Sequence, residues 1–181
     1  MERVALHTCE NVKNPKPFIH EMNMSTINEI QDSIIDEFSD LSDWMDRYAY
    51  IIDLGNEVPA LDERYKTPDN IIEGCQSRVW LQADYADGVI TFQADSDAII
   101  VKGIISLLIR VLSGHSPKEI IDADLYFIDR IGLKEHLSPT RSNGLLAMVK
   151  QIIADDNIFT ILLSQPMYSI AYFIIYHTAI I

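Results

Sequence analysis

Cysteine is scarce in this chain. Only two of its 181 residues are cysteines, Cys9 and Cys75, and no C-x-x-C pair occurs. Two thiols are too few for a disulfide-stapled scaffold, so the sequence does not indicate an oxidising compartment. Zinc and iron–sulfur clusters take three or four cysteine or histidine ligands in close groups, whereas the five histidines here stand singly. The sequence therefore predicts no metal site.

Positive charge is also limited. The chain has 14 Lys and Arg residues against 27 Asp and Glu residues, which gives a net charge of −13 and a pI near 4.6. Nucleic-acid binding depends on a positive surface that neutralises phosphates, so we predict no nucleic-acid partner. An acidic surface can favour a basic protein partner or serve solubility alone, and composition leaves both open.

Motifs for nucleotide binding and secretion are missing as well. Neither G-x-x-x-x-G-K-[ST] nor G-x-G-x-x-G occurs, so no nucleotide-binding loop is predicted. The first 22 residues have no continuous apolar segment and carry acidic side chains, which is not the pattern of a signal peptide. We predict a cytoplasmic protein that holds no cofactor of its own.

The chain divides into three zones. Residues 24–153 carry regular hydrophobic patterns and are long enough to bury a core. Residues 1–23 are interpreted as an N-terminal extension. With a translation start at Met22 or Met24, this extension would not belong to the native chain. Residues 154–181 form an apolar C-terminal tail.

The tail allows three interpretations. Residues 158–181 contain no charged side chain, and about 20 apolar residues are enough to cross a bilayer. Gln165, Pro166 and His177 interrupt the run, however, and no basic cluster follows Lys150. We prefer a frame-shifted or read-through tail over a packed hairpin, and either of these over a membrane anchor.

Helix signals come first in the central zone. Thr26 and Glu29 form a capping box before apolar residues at helical spacing, Ile27, Ile30, Ile34 and Phe38. Asp40 is predicted to cap a second helix, and Gly55 to follow it in the left-handed C-terminal position. The apolar face of that second helix is predicted to comprise Leu41, Trp44, Met45, Tyr48 and Ile52.

A hairpin and further helices follow. Two alternating runs around Asp87-Gly88 predict two antiparallel strands. Their inner faces are Val79, Leu81 and Ala83 on the first strand, and Ile90, Phe92 and Ala94 on the second. Asp95 or Ser96 is predicted to cap the long apolar helix that ends at Gly114. Ser116, Pro117 and Glu119 form a second capping box, and the last helix begins near Ser138 or Pro139. This order predicts an α+β fold, a small antiparallel sheet with helices packed on one face.

Cys75 lies in the connection that leads into the hairpin. A lone cysteine usually serves as a small buried apolar residue. Here Gly74 frees the backbone, and the cationic Arg78 would favour the thiolate, which is the nucleophilic form. A reactive thiol is therefore the preferred interpretation.

Three segments resemble the SufE family of sulfur-acceptor proteins, which includes the CsdE branch. They are EGCQSRVWL, DSDAIIVKGIISLLIRVLSGHSP and HLSPTRSNGLLAMV, in the family's order, and the resemblance spans roughly residues 25–150. It implies a SufE/IscU-like fold and a persulfide acceptor at Cys75. The protein would then be a sulfur-transfer accessory rather than an enzyme.

The resemblance also implies partners. The sulfur donor would be a cysteine desulfurase of the SufS or CsdA kind, which the accessory stimulates and whose pyridoxal phosphate belongs to the desulfurase alone. The recipient would be an iron–sulfur scaffold complex, so the pathway is iron–sulfur cluster assembly. A membrane partner is not expected.

Further site residues follow from the same motifs. Beside Cys75, the supporting loop residues are Gly74, Gln76, Ser77 and Arg78. Arg141 matches the family's S-R-S-x-G motif and is expected either to face the cysteine loop or to pair with a carboxylate. The acidic turn formed by Asp95, Ser96 and Asp97 is expected to meet the desulfurase.

Two other functions are weighed against this one. An IscU-type scaffold would assemble the cluster itself, but it needs three cysteines around the site, and this chain has one there. An independent cysteine hydrolase would pair Cys75 with His115 or His136, because such partners meet in space rather than in sequence.

Overall fold

The computed structural model describes residues 25–154, so the N-terminal extension, Cys9 and the tail beyond Ala154 lie outside it. This part of the chain forms seven α-helices, two strands and two short 3-10 helices. The helices are α1 Ile27–Ser39, α2 Trp44–Glu57, α3 Ile99–Leu112, α4 Pro117–Ile121, α5 Phe127–Arg130, α6 Leu133–His136 and α7 Pro139–Ala154. The strands are β1 Val79–Ala86 and β2 Val89–Ser96, and the 3-10 helices are Glu63–Tyr65 and Pro68–Asn70. Within residues 25–154 no helix is both long and apolar enough to cross a membrane.

Both predicted capping boxes are present. The Thr26 side chain accepts from the backbone N–H of Glu29, whose carboxylate accepts from the Thr26 N–H at 2.7 Å. Ser116 and Glu119 make the same pair of bonds, with Pro117 at the first position of α4. Each box satisfies two backbone donors that the first helical turn leaves free, and a cap of this kind contributes about 1 kcal/mol.

The strands pair as an antiparallel hairpin in the expected register. Leu81 lies opposite Ala94, and Ala83 lies opposite Phe92. The predicted inner faces are buried except for Ala83, which is half-buried. Asp87 and Gly88 at the turn both have positive φ, 53° and 87°, as a tight hairpin turn of right-handed twist requires.

Helix α3 forms the centre of the core. Nine of its fourteen residues are buried, and it packs against α1, α2, α7 and strand β2. The sheet therefore presents its apolar face to helices, and the predicted α+β class is confirmed. The far edge of β2 is covered by the chain after α3, where the Ile90 N–H donates to the His115 carbonyl at 2.9 Å.

The prediction for Gly55 is wrong. Gly55 lies inside α2, where it meets α3 rather than ending the helix. A Cβ on Gly55 would come within 2.5 Å of the Ile99 carbonyl oxygen, and a Cβ on Gly103 would overlap the carbonyl oxygen of Ile51. The two helix backbones are in direct contact at this crossing, which only residues without a side chain permit.

The start and face of α2 also differ from expectation. The N-cap is Asp43, which accepts from the Asp46 N–H at 3.0 Å, whereas Asp40 is the C-cap of α1. Ile51 is fully buried and Met45 is 70% exposed. The contact with α3 thus turns the buried stripe of α2 toward Ile51 and away from Met45.

The predicted N-cap of α3 is also wrong. Asp95 and Ser96 belong to β2, and the N-cap is Ala98, which makes no side-chain cap bond. The Ser96 hydroxyl instead accepts from the Ala98 N–H at 3.2 Å. The two residues that were predicted to cap the helix are therefore the last two of the strand, which reaches the helix through a short polar turn.

Candidate functional site

The cysteine loop, residues 73–78, is closed at its base by strand pairing. The Ile72 N–H donates to the Val79 carbonyl at 2.8 Å, and Ile71 forms an antiparallel bridge with Trp80. Ile72 and Val79 are both buried. The two ends of the loop are therefore anchored in the core.

A second attachment joins the loop to the acidic turn after β2. The Arg78 N–H donates to Asp97 Oδ1 at 3.0 Å, and Arg78 Nε lies 3.1 Å from Asp97 Oδ2. In return, the Asp97 N–H and the Ser96 hydroxyl donate to the Arg78 carbonyl at 3.2 and 2.9 Å. The predicted interface residues therefore have a structural role in holding one end of the loop.

Cys75 itself packs against the last helix. Its thiol donates to the carbonyl oxygen of Gly144 in α7, with 3.4 Å between Sγ and O. A Cβ on Gly144 would lie 3.5 Å from Sγ, so the thiol rests directly on helix backbone. Leu145 and Met148, each 1% exposed, fix this part of α7 in the core.

Burial governs the titration of Cys75. The thiol is half-buried, and burial raises its pKa above the ordinary value for cysteine because the charged thiolate loses solvation. The expectation that Arg78 favours the thiolate is not met in this conformation, because its guanidinium pairs with Asp97 and lies 5.6 Å from the Trp80 ring centre. The resting thiol is therefore protonated at neutral pH.

An ion-pair cluster supports the acidic turn from beneath. Asp95 is 7% exposed and lies 3.1 Å from Lys66 Nζ and 3.0 Å from Lys102 Nζ. Burial opposes ionisation of Asp95, but hydrogen bonds from Lys102, Lys66 and the Ser96 N–H outweigh it and lower its pKa. A buried carboxylate with two cationic partners is stable only when both are in place, so Asp95 fixes the turn more than it presents charge to a partner.

The remaining predicted loop residues are at the surface. Gly74 occupies the left-handed region with φ 88°, and Gln76 is exposed while Ser77 is half-buried. Arg141 is exposed in the first turn of α7. No hydrogen bond or ion pair within residues 25–154 joins Arg141 to the loop, so its role stays a prediction.

Neither histidine weighed as a partner meets the thiol. His115 is 7% exposed, and burial lowers its pKa. Its Nε2 has no hydrogen-bond partner among the described residues. His136 is stacked on Trp44, with 4.4 Å between ring centres. The structure does not assemble a Cys75 dyad with either side chain.

The chain matches a known protein family. The family model described as "SufE: Fe-S metabolism associated domain" matches residues 32–155. The chain belongs to the SufE family. The match includes the cysteine loop, the acidic turn and α7, and it connects the protein with iron–sulfur metabolism.

SufE-like relatives extend over the same region. An uncharacterized SufE-like protein of Rhizobium etli is 45% identical over 126 residues, which cover 67% of this chain and 85% of the relative. A second one, from Rhizobium meliloti, is 42% identical over 126 residues and is covered to 90%. The predicted resemblance to the SufE family is thereby confirmed.

A solved structure shares the SufE-family fold. The solution structure of a hypothetical protein from Thermus thermophilus superposes with a TM-score of 0.58, over 72% of this chain and 96% of that one. Because the two are 23% identical, the likeness concerns the fold alone.

Two contacts of this SufE-family site could not be predicted from the sequence. The acceptor of the Cys75 hydrogen bond is a backbone carbonyl, which any residue at position 144 would supply, so its identity carries no signal. Lys66 lies in the long connection before the loop, where no periodicity predicts its approach to Asp95. Both contacts join segments that are far apart in the chain.

Proposed function

We propose that this protein is a sulfur carrier that accepts sulfur on Cys75 from a cysteine desulfurase, stimulates that desulfurase and delivers the sulfur for iron–sulfur cluster assembly. The observation that carries the proposal is the setting of Cys75. Among residues 25–154 the one thiol stands on a loop that is anchored at both ends, and its sulfur donates a hydrogen bond to the Gly144 carbonyl.

The transfer itself is a thiol–persulfide exchange. The Cys75 thiolate attacks the terminal sulfur of a persulfide on the desulfurase cysteine, and the sulfur–sulfur bond of the donor breaks. The bonding electrons remain on the donor sulfur, which leaves as a thiolate, and Cys75 becomes a persulfide. No external oxidant or reductant is consumed, and the rate depends on thiolate fraction and access.

The resting state and the reactive state then differ in loop position. Against α7 the thiol is half-buried and its pKa is raised, which keeps it protonated and protects it from oxidation. Leaving α7 exposes Sγ to solvent and to the partner, and the cost of burying the thiolate disappears. Docking on a partner would thus supply the reactive form only where it is used.

The partner and its cofactor follow from the same role. We assign the donor to the SufS or CsdA kind of desulfurase, whose pyridoxal phosphate releases the sulfur from free cysteine. The accessory needs no cofactor, because the exchange requires only its own thiol and the persulfide of the donor. Its recipient is an iron–sulfur scaffold complex, and we expect all of these steps in the cytoplasm.

The alternatives are less well supported by the site. A hydrolase needs a base beside its nucleophile, and the contact of Cys75 is a carbonyl acceptor. A cluster scaffold needs several ligands, and among residues 25–154 no group of three or more His, Cys, Asp or Glu side chains is arranged to hold a metal ion.

Mass spectrometry tests the proposal. After incubation with a SufS-type desulfurase and L-cysteine, we expect the wild-type chain to gain about 32 Da per sulfur atom on Cys75. Cys75→Ser removes the gain and the stimulation, whereas the matched variant Cys9→Ser retains both. Unchanged stimulation by Cys75→Ser removes this cysteine from the mechanism.

A further inference from the structure

The connection that precedes the cysteine loop lies on the outer face of the hairpin, where its two 3-10 helices pack on β1. Trp80 of β1 alternates with residues that face the helices, and Asp95 lies opposite Trp80 on β2, so both belong to this outer face. Asp95 is nevertheless buried, and a residue of the connection, Lys66, pairs with it.

Lys66 is unusually buried for a lysine. Its side chain is 20% exposed, whereas lysine side chains are mostly exposed. Its Nζ lies 3.1 Å from Asp95 Oδ2 and 2.7 Å from Glu63 Oε1. It also lies 5.9 Å from the centre of the Trp80 ring, within the range of a cation–π contact. A charged group that loses this much water has to be paired, and these contacts hold the ammonium in one place.

The contact continues from Asp95 to the far end of the loop. Asp95 Oδ1 accepts from the Ser96 N–H at 2.9 Å, and the Ser96 hydroxyl donates to the Arg78 carbonyl at 2.9 Å. Lys66 precedes the loop in the chain and Arg78 ends it, so one carboxylate connects the two sides of the loop. The strand pairing fixes the base of the loop, and these polar contacts fix the acidic turn against it.

Lys102 holds the same carboxylate from the side of the core. Its Nζ lies 3.0 Å from Asp95 Oδ1, and it belongs to α3, the central helix of the core. Replacing Lys66 leaves this bond in place but removes one partner of the carboxylate. Asp95 and the acidic turn then lose the contact that sets their position relative to the connection.

We propose that Lys66 is a positioning residue for sulfur transfer. The inference rests on the proposed function and concerns a residue outside both the cysteine loop and the acidic turn. Lys66 acts through Asp95, which keeps the turn and the loop in one orientation, so that a docked desulfurase meets Cys75 at one distance and from one direction. Such placement governs the rate of a transfer step, because a shift of about 1 Å can cost about 100-fold.

The test separates the maximal rate of transfer from binding. Lys66→Met removes the ammonium and keeps an unbranched side chain, whereas Lys66→Arg keeps the positive charge. The matched control is Lys134→Met, which removes the same charge from an exposed pair with Asp129. Initial rates of Cys75 loading by a SufS-type desulfurase and L-cysteine are measured by intact mass at increasing carrier concentration.

The expected effect is on the maximal rate alone. Lys66→Met should lower it by about tenfold, with a half-saturating concentration within about twofold of the wild type, because binding is kept and placement is lost. Lys66→Arg should recover most of the rate, and Lys134→Met should match the wild type. An unchanged maximal rate for Lys66→Met overturns the proposal, and so does a change confined to half-saturation.

A small donor separates placement from damage to the loop. Cysteine persulfide passes its terminal sulfur to Cys75 and leaves as free cysteine, without a docked partner. It should load Cys75 of Lys66→Met at least as fast as Cys75 of the wild type. A loss of rate with both donors overturns the positioning role, because Lys66 then supports the loop itself. If wild-type Cys75 accepts sulfur from cysteine persulfide but none from the desulfurase, the proposed function fails, and the role of Lys66 fails with it.

Discussion

Arg78 and Asp97 hold each other through both backbone and side chain. The Asp97 carboxylate accepts from the Arg78 N–H at 3.0 Å and from Nε at 3.1 Å, while the Asp97 N–H donates to the Arg78 carbonyl at 3.2 Å. The two side chains are 68% and 40% exposed. An exposed ion pair contributes little to global stability, so this pair acts mainly on the position of the cysteine loop.

Asp97→Ala should release that end of the loop. We expect faster alkylation of Cys75 by iodoacetamide, several-fold at neutral pH, because the thiol leaves α7 more often. The free energy of unfolding should fall by about 1 kcal/mol or less. Intact mass over time and thermal unfolding measure the two effects. Asp129→Ala, which removes the exposed partner of Lys134, is the matched control and should leave alkylation unchanged.

Asp97→Arg should also change the affinity for the desulfurase. Both Asp97 variants lose the carboxylate, so the difference between them reports the charge presented to the partner rather than the freedom of the loop. Charge at the rim of an interface alters encounter and partner choice. Titration calorimetry on both variants measures this difference. Equal dissociation constants would place the acidic turn outside the interface.

The reactivity and stability of the protein should depend on the Cys75 proton. Because burial raises the pKa of the thiol, alkylation should increase with pH around a midpoint above that of free cysteine. Between the ordinary pKa and the raised one, the unfolded chain has lost a proton that the folded chain keeps. The contribution of Cys75 to stability is therefore complete at lower pH and declines as pH rises through this interval. Denaturant unfolding from neutral to alkaline pH should show a decline that Cys75→Ser lacks.

Two helical glycines should respond differently to alanine. A Cβ at position 103 overlaps the Ile51 carbonyl, and backbone atoms cannot yield as a side chain can. Gly103→Ala should destabilise by about 3 kcal/mol or more. Gly144→Ala adds a methyl at ordinary contact distance, 3.5 Å from Sγ, and should be neutral or slightly stabilising because alanine favours helix. Comparable losses at both positions, measured by chemical denaturation, would contradict this contrast.

A chain restricted to residues 24–153 should fold cooperatively and stimulate the desulfurase as the full chain does. Its core contains α3, the hairpin and the buried face of α7 through Ile152. Thermal unfolding and sulfur transfer of the two chains, measured side by side, test this. A much lower melting temperature for the short chain would make the tail part of the fold.

Local signals account for what the sequence predicted well. The capping boxes, the hairpin turn at Asp87-Gly88 and the alternation of β2 each depend on residues within a few positions of one another. Cys75 was found by its rarity and by its motif. These features are readable because the atoms that interact are close in the chain.

Contacts between distant segments account for the errors. A glycine is typical of a helix end, yet Gly55 lies inside α2, where it allows close contact with the backbone of α3. The titration of Cys75 follows from burial against α7, while its neighbour Arg78 suggested the opposite shift. A charged residue close to a cysteine in the sequence does not determine the electrostatic potential at the sulfur, because the fold determines where the charged group lies.

The closure of the loop at Ile72 and Val79 also sets a length. Cys75 is three residues from Ile72, and three residues from Arg78 as long as Arg78 stays bound to Asp97. A fully extended chain spans at most about 3.5 Å per residue, so neither arm can carry the Cys75 backbone more than about 10 Å from its anchor. Under the proposed function, Cys75 therefore accepts sulfur only from a donor persulfide that lies within that distance of the docked surface, so the length of the two arms limits how deep the active-site cleft of a partner can be.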